Sequence, residues 1–474
     1  MNTKWFLILP ALVLVASILF LLPRPWDNDK DGSWNSRRRP LDFDASNPRI
    51  RPDARATSLN GPDQDSNGVD SLRGANVLFI LVDALRPDFL KTYGYDGAGE
   101  KIDELARQSL VYSTCIAQSS CTIPSVPSIF SSLLPSRIFP SIFEGGTRHV
   151  SVNFPRHVPS LPDILKSHGY RTVGFVANPL MEARWGSSKG FTDYTFIERD
   201  CTDRESYGTA TAITNSAIKW LNDNSDSAPY FMYLHYMDVH TKPCHLEYTQ
   251  VNSPDRERNY YAQRVAYTDL EIGRILDEFR KRGLFEDAVI LLTADHGEEL
   301  GEHRGSRHCQ TLFQETIQVP LILHTPLRAS QRLIRVPVRS LDIIPTILQL
   351  LGIPFDDKAF DGVVLPPFSS KDSDRPLVSQ RPRQMSFQEG HWKLIELYHA
   401  DEAKKVQYQG ESTFLFNLEN DPREQRNLKD LRPDLVARLK REIAEVKKGV
   451  SRGREEGPLT EDMERALRAL GYVE

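Results

Sequence analysis

Short uninterrupted apolar runs recur along the middle of the chain, and each of them stops abruptly at polar residues. The clearest are residues 77–82, 230–235 and 289–293, which consist largely of β-branched, aliphatic and aromatic side chains. Runs of this length without polar alternation are typical of strands that are buried on both faces, as in parallel sheets. Residues 172–177 and 319–324 have the same character. The pattern therefore predicts the strands of a central sheet.

Amphipathic segments alternate with these runs. In residues 261–282, Val265, Ile272 and Phe279 recur on one face of a helix, and Gly283 follows as a stop signal. Shorter helices are predicted at residues 101–110, 122–134, 161–168 and 340–351. Alternating strands and helices predict an α/β fold, with a large, doubly wound, mainly parallel sheet over residues 74–367.

The pattern changes after about residue 367. Residues 392–395 and 414–418 form short strand-like runs separated by a charged segment, which is a hairpin-like arrangement. Residues 435–450 are predicted to form a charged amphipathic helix. We therefore predict that residues 368–474 form a small C-terminal α+β subdomain that packs on the first domain.

The N-terminus carries a longer apolar run, from Trp5 to Leu22, which is of membrane-spanning length. We predict that residues 1–23 form an uncleaved membrane anchor. The alternative is a signal peptide cleaved after Ala16, although such a cut would leave residues 18–22 exposed. Residues 24–73 are polar and contain few large apolar side chains, so we predict a disordered linker.

The charges that flank the apolar run do not decide on which side of the membrane the rest of the chain lies. Basic residues after the run, such as Arg37 to Arg39, favour a cytoplasmic C-terminal side, but long domains can translocate regardless of flanking charge. The predicted localisation is a membrane-anchored extracytoplasmic domain, or a secreted one if the N-terminal segment is cleaved.

Composition narrows the function only slightly. The formal net charge of −5 argues against a nucleic-acid partner. Five cysteines are too few and too scattered to indicate a disulfide framework, and they do not decide the redox compartment. Cys121 is interpreted as a small apolar side chain whose replacement would cost little.

Candidate ligands follow the predicted strands at their carboxyl ends, which is where ligands bind in open α/β sheets. Asp83 ends the first strand, Asp238 and His240 follow another, and Asp295 and His296 follow a third. Carboxylate oxygen and imidazole nitrogen both bind divalent cations. We predict that Asp83, Asp295 and His296 hold a metal ion.

Thr122 lies at the predicted start of a helix, with Pro124 in the first turn. A metal ion nearby could lower the pKa of its hydroxyl, which would make Thr122 a nucleophile towards an anionic ester. His240 and His308 could hold the anion or protonate the leaving group. The plain alternatives are a helix cap for Thr122 and a surface loop histidine for His240.

The chain resembles the sulfatases of the alkaline phosphatase superfamily over nearly all of residues 76–428. The matching segments are residues 76–86, 122–125, 234–240, 293–303, 308–315, 319–322, 342–346, 360–362 and 418–428. The resemblance implies an alkaline phosphatase-like doubly wound sheet with a small C-terminal sheet, a divalent metal ion, and hydrolysis of sulfate or related esters. It also implies that Arg86, Lys242 and Arg307 bind the substrate.

The sequence departs from the family at its nucleophile. Family members convert the cysteine of Cys-x-Pro-Ser-Arg to formylglycine, whereas Thr122 holds that position here, Val126 replaces the arginine, and Cys121 lies one residue early. Ala84 stands where a second aspartate is usual. Thr122 with Asp83, Asp295 and His296 is similar to the phosphotransferase branch that lipoteichoic acid synthase represents.

The metal and the basic residues also differ. A histidine ligand favours Mn or Zn over Ca, with Mg as a further candidate, because imidazole is a poor Ca ligand. The lysine that often follows the Asp-His-Gly segment in the family is replaced by Arg304, Arg307 and His308.

The resulting hypothesis is a metal-dependent hydrolase of sulfate esters, acting on a small-molecule or glycan ester, with membrane contact through the N-terminal segment. Two alternatives remain: a phosphate mono- or diester hydrolase or phosphotransferase, and a catalytically silent relative that binds anions.

Overall fold

The computed structural model describes residues 72–97, 99–140, 143, 154–155, 157–198, 209–224, 229–241, 255–327, 332–369, 375–405 and 407–448. The predicted anchor at residues 1–23 and nearly all of the predicted linker lie outside these ranges. Within these ranges, no helix combines the length and the apolar character that crossing a membrane requires.

The strands fall into a first group along residues 77–339 and a second group near the C-terminus. In the first group they are β1 (Val77–Val82), β2 (Leu110–Ile116), β3 (Arg171–Val176), β4 (Asp193–Phe196), β5 (Tyr230–Tyr236), β6 (Val289–Thr293), β7 (Glu299–Leu300), β8 (Ser306–Arg307), β9 (Gln318–His324), β10 (Arg332–Ile334) and β11 (Val338–Arg339). In the second group they are β12 (Leu377–Arg381), β13 (Gln384–Glu389), β14 (Trp392–Leu397) and β15 (Thr413–Asn417).

The α-helices connect and cover these strands. They are α1 (Glu100–Ala106), α2 (Thr122–Ser131), α3 (Pro135–Ile138), α4 (Leu161–Ser167), α5 (Ala210–Asp223), α6 (Arg256–Lys281), α7 (Gln314–Ile317), α8 (Ile343–Leu350), α9 (Ala400–Ala403) and α10 (Pro433–Lys448). Short 3-10 helices lie at Pro87–Phe89, Lys91–Tyr93, Pro179–Met181, Ala183–Trp185, Ser340–Asp342 and Asp357–Ala359.

The central sheet has the order β10-β2-β9-β6-β1-β5-β3-β4, with β11 also paired to β2. Its pairs are parallel except those that β9 makes with β2 and β6. Helices α1 and α5 both contact α6 and lie with it on one face, while α4 and α8 both contact α2 on the other. The predicted doubly wound, mainly parallel α/β fold is confirmed.

The strands β1, β5 and β6 form the middle of the sheet, and their residues are completely or almost completely buried. Parallel register places Leu81 beside His235 on β5 and beside Thr293 on β6. The residues that follow these strands therefore emerge side by side at one edge of the sheet.

The C-terminal subdomain is an antiparallel sheet in the order β12-β13-β14-β15. Leu435, Leu439 and Ile443 of α10 pack on one face of this sheet, and Phe313 of the larger domain packs among residues of the other face. Gln380 N donates to Gln118 O at 2.7 Å, which joins the two sheets. The predicted small α+β subdomain is present.

Candidate active site

Asp83 lies directly after β1, and one of its two carboxylate oxygens has several hydrogen-bonding neighbours. Its Oδ2 accepts from Asn178 Nδ2 at 2.7 Å and from Thr122 Oγ1 at 3.3 Å, and it lies 3.2 Å from His235 Nε2. Its Oδ1 is buried and has no hydrogen-bond partner among the described residues. The first oxygen is thus fixed by the protein, and the second is left for another positive group.

Asp295 repeats this arrangement after β6. Its Oδ1 accepts from the backbone N–H of Ala84 at 3.3 Å and of His296 at 3.0 Å. Its Oδ2 is buried without a hydrogen-bond partner in the described part of the chain. An unpaired buried carboxylate oxygen is costly, and two of them in one site call for a cation.

His296 points at both unpaired oxygens. Its Nδ1 lies 2.8 Å from Gly297 O, an acceptor, which fixes the hydrogen on Nδ1 and leaves a lone pair on Nε2. Its Nε2 lies 3.5 Å from Asp83 Oδ1 and 3.5 Å from Asp295 Oδ2. This is long for a hydrogen bond. It does match the separation of neighbouring ligand atoms that each bind one cation at about 2.0–2.2 Å.

The structure therefore brings the three predicted ligands together, and their donor atoms fit a divalent cation. His235 joins them: one ligand atom each from Asp83, His235 and Asp295 lies within 4.8 Å of the others. The hydroxyl of Tyr233 lies 2.9 Å from His235 Nδ1. His235 is thus placed either as a further ligand or as a donor that orients Asp83.

Two backbone features hold the turns that carry these ligands. Gly297 packs so closely on the chain at Glu315 that an added Cβ would overlap the Glu315 carbonyl oxygen. Ala84 has a φ of 60°, a left-handed conformation that is unusual for a residue with a side chain. The hydroxyl of Tyr261 donates to Ala84 O at 2.6 Å and accepts from Arg86 N at 2.8 Å, which stabilises this turn.

Thr122 begins α2, as predicted, but its side chain is not a helix cap. The N-cap is Cys121, and Ile123 has non-helical backbone angles. The Thr122 hydroxyl instead contacts Asp83 and lies 3.3 Å from His296 Nε2. This placement excludes the plain alternative of a capping threonine and puts the hydroxyl beside the ligand cluster.

His240 and His308 also come together. Their Nε2 atoms are 3.1 Å apart, and His308 Nδ1 lies 2.8 Å from Glu298 Oε2. The His308 ring stacks on the His296 ring with centroids 4.4 Å apart. Both histidines therefore lie beside the ligand cluster, where His240 is half-buried. Glu298 is a partner that the sequence did not single out.

Burial and charge shift the pKa values of the site in opposite directions. Burial, together with the charges of His308 and His296, lowers the pKa of His240 to about 3, although the charge of Asp83 opposes the shift. Burial and the charge of Asp83 raise the pKa of Asp295. Burial would also raise the pKa of Asp83, but the neighbouring histidines outweigh it and hold that pKa below its usual range.

Two of the three predicted substrate-binding residues, Arg86 and Arg307, are described by the structure. Arg86 is buried and binds Asp88, Glu302 and the carbonyl of Glu298. These contacts occupy most of its N–H groups and give Arg86 a structural role, and that it also binds substrate stays a prediction. Arg307 is exposed on β8, and Lys242 lies outside the described residues.

Asp238, which also follows β5, does not join the metal cluster. It accepts from Thr209 N at 2.8 Å and from Thr209 Oγ1 at 3.1 Å, so it holds the start of α5. Burial raises its pKa to about 7 despite these hydrogen bonds. Its polarity and position after a strand resemble those of a ligand, but its partners are structural.

A disulfide bond lies beside the site. Cys121 is bonded to Cys309, and their Cα atoms are 4.9 Å apart. The sequence-based interpretation of Cys121 as a small apolar side chain is therefore wrong. A sulfur in a disulfide is not available for conversion to formylglycine, and the Thr122 hydroxyl faces the cluster at the start of α2.

The comparison with protein families gives one clear match. A family model described as Sulfatase matches residues 75–353, which include the ligand cluster, Thr122, His240 and His308. A choline-sulfatase of Rhizobium meliloti (strain 1021) is 30% identical over 182 residues, which cover 36% of this chain and 33% of the relative. The chain thus spans about a third of the length of this curated relative.

Solved structures share the fold at low identity. Ps i-CgsB in complex with k-i-k-neocarrahexaose has a TM-score of 0.64 and 18% identity, with 84% of this chain and 98% of that chain covered. The phosphonate monoester hydrolase of Agrobacterium radiobacter has a TM-score of 0.61 and 16% identity, with 78% and 95% covered. Both likenesses are evidence of a common fold.

Proposed function

Because the chain belongs to the sulfatase family, we propose that it is a metal-dependent hydrolase of sulfate esters with Thr122 as its nucleophile. The observation that carries this proposal is the contact of the Thr122 hydroxyl with Asp83 and His296, at 3.3 Å from each. A threonine with a purely structural role would not be expected to place its hydroxyl between two candidate metal ligands.

Asp83, Asp295 and His296 would hold the metal ion, with His235 as a further ligand or as a hydrogen-bond donor to Asp83. Mn or Zn suits this donor set better than Ca, and Mg is a further candidate. When bound, the ion would lower the pKa of the Thr122 hydroxyl and withdraw charge from the ester oxygens.

The residues of the chain divide the remaining work. Thr122 Oγ1 loses its proton to solvent and attacks the sulfur, a new O–S bond forms, and the bond from sulfur to the oxygen of the leaving alcohol breaks. His240 and His308 lie where they can hold the anion, His240 as a neutral hydrogen-bond donor because its pKa is low, and His308 lies where it can give a proton to the departing oxygen. Water then releases sulfate from Thr122, so that one ester and one water yield one alcohol and one sulfate.

A phosphate mono- or diester hydrolase or a phosphotransferase is the second candidate. A threonine hydroxyl in place of the formylglycine cysteine favours it, because such a side chain serves as a nucleophile in phosphoryl transfer as well. The structural likeness to a phosphonate monoester hydrolase is in keeping with this candidate.

We further propose that the alcohol is a small molecule or a glycan and that the domain works outside the cytoplasm. The likeness to a structure that contains neocarrahexaose supports the glycan. The Cys121–Cys309 bond supports the location, since disulfides persist in oxidising compartments.

The test is a substrate screen with the purified full-length protein. After chelation, the protein is given Mn, Zn, Mg or Ca and assayed with 4-nitrophenyl sulfate, 4-nitrophenyl phosphate and bis(4-nitrophenyl) phosphate. We expect metal-dependent turnover that is highest on the sulfate ester and absent from Asp295→Asn. Preference for either phosphate would establish the second candidate, and binding of sulfate without any turnover would identify a silent relative.

A further inference from the structure

Each cysteine of the disulfide is the chain neighbour of a residue that the proposed function uses. Cys121 precedes Thr122, and Cys309 follows His308, although the two cysteines are 188 residues apart in the sequence. We propose that this bond is a positioning device that locks the His308 segment onto the start of α2, so that full activity requires the oxidised protein. This inference rests on the proposed function for the roles of Thr122 and His308.

The His308 segment has little regular structure of its own. It follows β8, whose two residues are exposed. Arg307 has a φ of 73° and Cys309 a φ of 61°, so left-handed residues flank His308 on both sides. Such conformations persist only where the surrounding structure holds them. The placement of His308 therefore depends on contacts from outside its own segment.

Besides the contacts of its ring with His240 and His296, three contacts hold this segment. Glu298 Oε2 lies 2.8 Å from His308 Nδ1, and Cys309 N donates to Ser120 O at 2.9 Å. The third is the disulfide itself, which is the covalent link between this segment and the start of α2. The second and third contacts reach residues directly before Thr122, so His308 is held relative to the nucleophile's own backbone.

Reduction would remove the covalent contact. A dithiol such as dithiothreitol supplies two electrons and two protons, the S–S bond becomes two thiols, and the reductant becomes a cyclic disulfide. The two sulfurs must then move apart to a non-bonded distance in a region where Cys121 is 3% and Cys309 8% exposed. With little free space around them, the movement is taken up by the less regular of the two segments, the one that carries His308, because Cys121 is the N-cap of α2.

The expected consequence is a loss of turnover rather than a loss of the metal site. Misplacing a reacting group by about 1 Å can lower a rate roughly a hundredfold. Asp83, Asp295 and His296 follow central strands and have their own hydrogen bonds, so reduction should change metal affinity little. We expect kcat to fall about ten- to a hundredfold with a much smaller change in KM.

The experiment compares oxidised, reduced and reoxidised full-length protein under the best metal, with 4-nitrophenyl sulfate and an alkyl sulfate as substrates. Cys121→Ala/Cys309→Ala removes the bond, and Cys115→Ala is the matched control because Cys115 is a buried free cysteine on β2. Wild type and Cys115→Ala should lose activity on reduction and regain it on reoxidation. The double variant should be slow in both states. The loss should be larger for the alkyl sulfate, whose poorer leaving group depends more on protonation.

A second measurement does not depend on activity. Diethyl pyrocarbonate labelling followed by mass spectrometry reports the access to His308, which is 5% exposed in the oxidised protein. Reduction or the double substitution should raise the labelling of His308, whereas that of His324, a buried histidine that contacts Phe285 O and Gln108 O, should not change.

Several outcomes would overturn the inference. One is a double variant with wild-type kcat well below its melting temperature, since the bond would then only stabilise the fold. If that variant does not fold, the inference is overturned instead by reduced wild type that keeps full activity and an unchanged circular dichroism spectrum. Unchanged His308 labelling on reduction also overturns it. Full activity of Thr122→Ala, by contrast, would refute the proposed function and leave the positioning of His308 to the labelling result.

Discussion

At the scale of single residues, the environment of the Thr122 side chain is the most unusual feature of the site. It is buried and starts a helix without capping it, and its hydroxyl donates a hydrogen bond to Asp83 Oδ2. A hydroxyl between a carboxylate and a histidine that can bind a metal ion has the surroundings that favour loss of its proton.

Replacing this hydroxyl is therefore the first prediction. Thr122→Ala should lower kcat by several orders of magnitude, as the loss of a covalent nucleophile does in other enzymes. Thr122→Ser keeps the oxygen and should retain far more activity. Steady-state kinetics under the preferred metal measures both, and metal binding by calorimetry checks that the cluster is intact. Equal turnover of wild type and Thr122→Ala would mean that another residue attacks.

Glu298 is the second residue with a predictable effect. Its carboxylate lies 2.8 Å from His308 Nδ1, and the charge of His308 holds the pKa of Glu298 below its usual value despite burial. Glu298→Gln should lower kcat about ten- to a hundredfold, which is typical of lost support for a functional side chain. The loss should be greater for an alkyl than for an aryl sulfate.

Glu302→Gln is the matched control for this change. Glu302 belongs to the same segment but pairs with Arg86 and Arg258 instead of a histidine of the site. Its replacement should lower the melting temperature without altering the ratio of the two substrates. If both variants shift that ratio equally, loop stability and not the support of His308 is the cause.

Sequence alone located those site residues whose position follows from a local pattern. Asp83, Asp295 and His296 could be found because each follows a buried strand. Asn178 also follows a strand, β3, but its donation to Asp83 depends on strand order, which the sequence does not display. His235 lies inside its apolar run and was interpreted as part of the strand. A register with β1 would have placed it beside Leu81 and so near Asp83.

At the scale of elements, the turn after β6 sets the geometry of two ligands. Gly297 N donates to Thr316 O at 3.0 Å, and Glu298 N donates to Glu315 O at 2.9 Å. These contacts bring the chain at Glu315 so near that no side chain fits at position 297. The glycine of the Asp-His-Gly segment is thus required by packing, because only a residue without Cβ permits this approach.

Gly297→Ala should accordingly damage the site through the backbone. The clash is with main-chain atoms, so we expect the free energy of unfolding to fall by about 1–3 kcal/mol, as in overpacked cores, together with weaker metal binding. Chemical denaturation and metal titration measure the two effects. Gly283→Ala is the control: its φ is 67° with open space around the new Cβ, so it should lower stability and spare metal affinity. Unchanged metal affinity in Gly297→Ala would show that the turn can move without displacing Asp295 and His296.

Strands with a continuous apolar run were predicted well, and strands without one were not. The run at residues 77–82 coincides with β1, and residues 289–293 coincide with β6. The predicted helix at residues 101–110 instead ends at Ala106, and Leu110 begins the unpredicted strand β2, which a register shift interrupts near Ser113 and Thr114.

The C-terminal subdomain shows the same limit. Strands β12 and β13 were missed because their inner positions include glutamines and a serine. These side chains are buried against the larger domain and bonded to it: Gln384 Nε2 donates to Gln310 O at 2.8 Å, and Ser379 Oγ donates to Ala117 O at 2.6 Å. Polar residues that are satisfied across an interface give no apolar signal in the sequence.

At the scale of the whole molecule, the resemblance to the sulfatases predicted more of the fold than the periodicity of apolar residues did. Apolar runs and helices predicted a mainly parallel sheet, but nothing in them indicated that β9 runs antiparallel between β2 and β6. The order of strands is set by long connections and by packing of entire faces, and these are properties of the folded chain.

The N-terminal segment, which lies outside the described residues, supplies the last prediction. A run from Trp5 to Leu22 is long enough to span a bilayer, and the polar residues that follow it suit a tether for a domain whose disulfide favours an oxidising compartment. Full-length protein should therefore sediment with membranes, resist extraction by high salt and dissolve in detergent.

Protease added to intact cells or outward-facing vesicles should release the domain, because we propose that it lies outside the cytoplasm. A variant with charged residues in place of Leu12 and Val15 should lose membrane association, since charges are costly at the centre of a bilayer. Intact mass that shows a mature chain starting after residue 16 would replace the anchor with a cleaved signal. Protection of the domain from external protease would place it in the cytoplasm, where glutathione would be expected to keep Cys121 and Cys309 reduced.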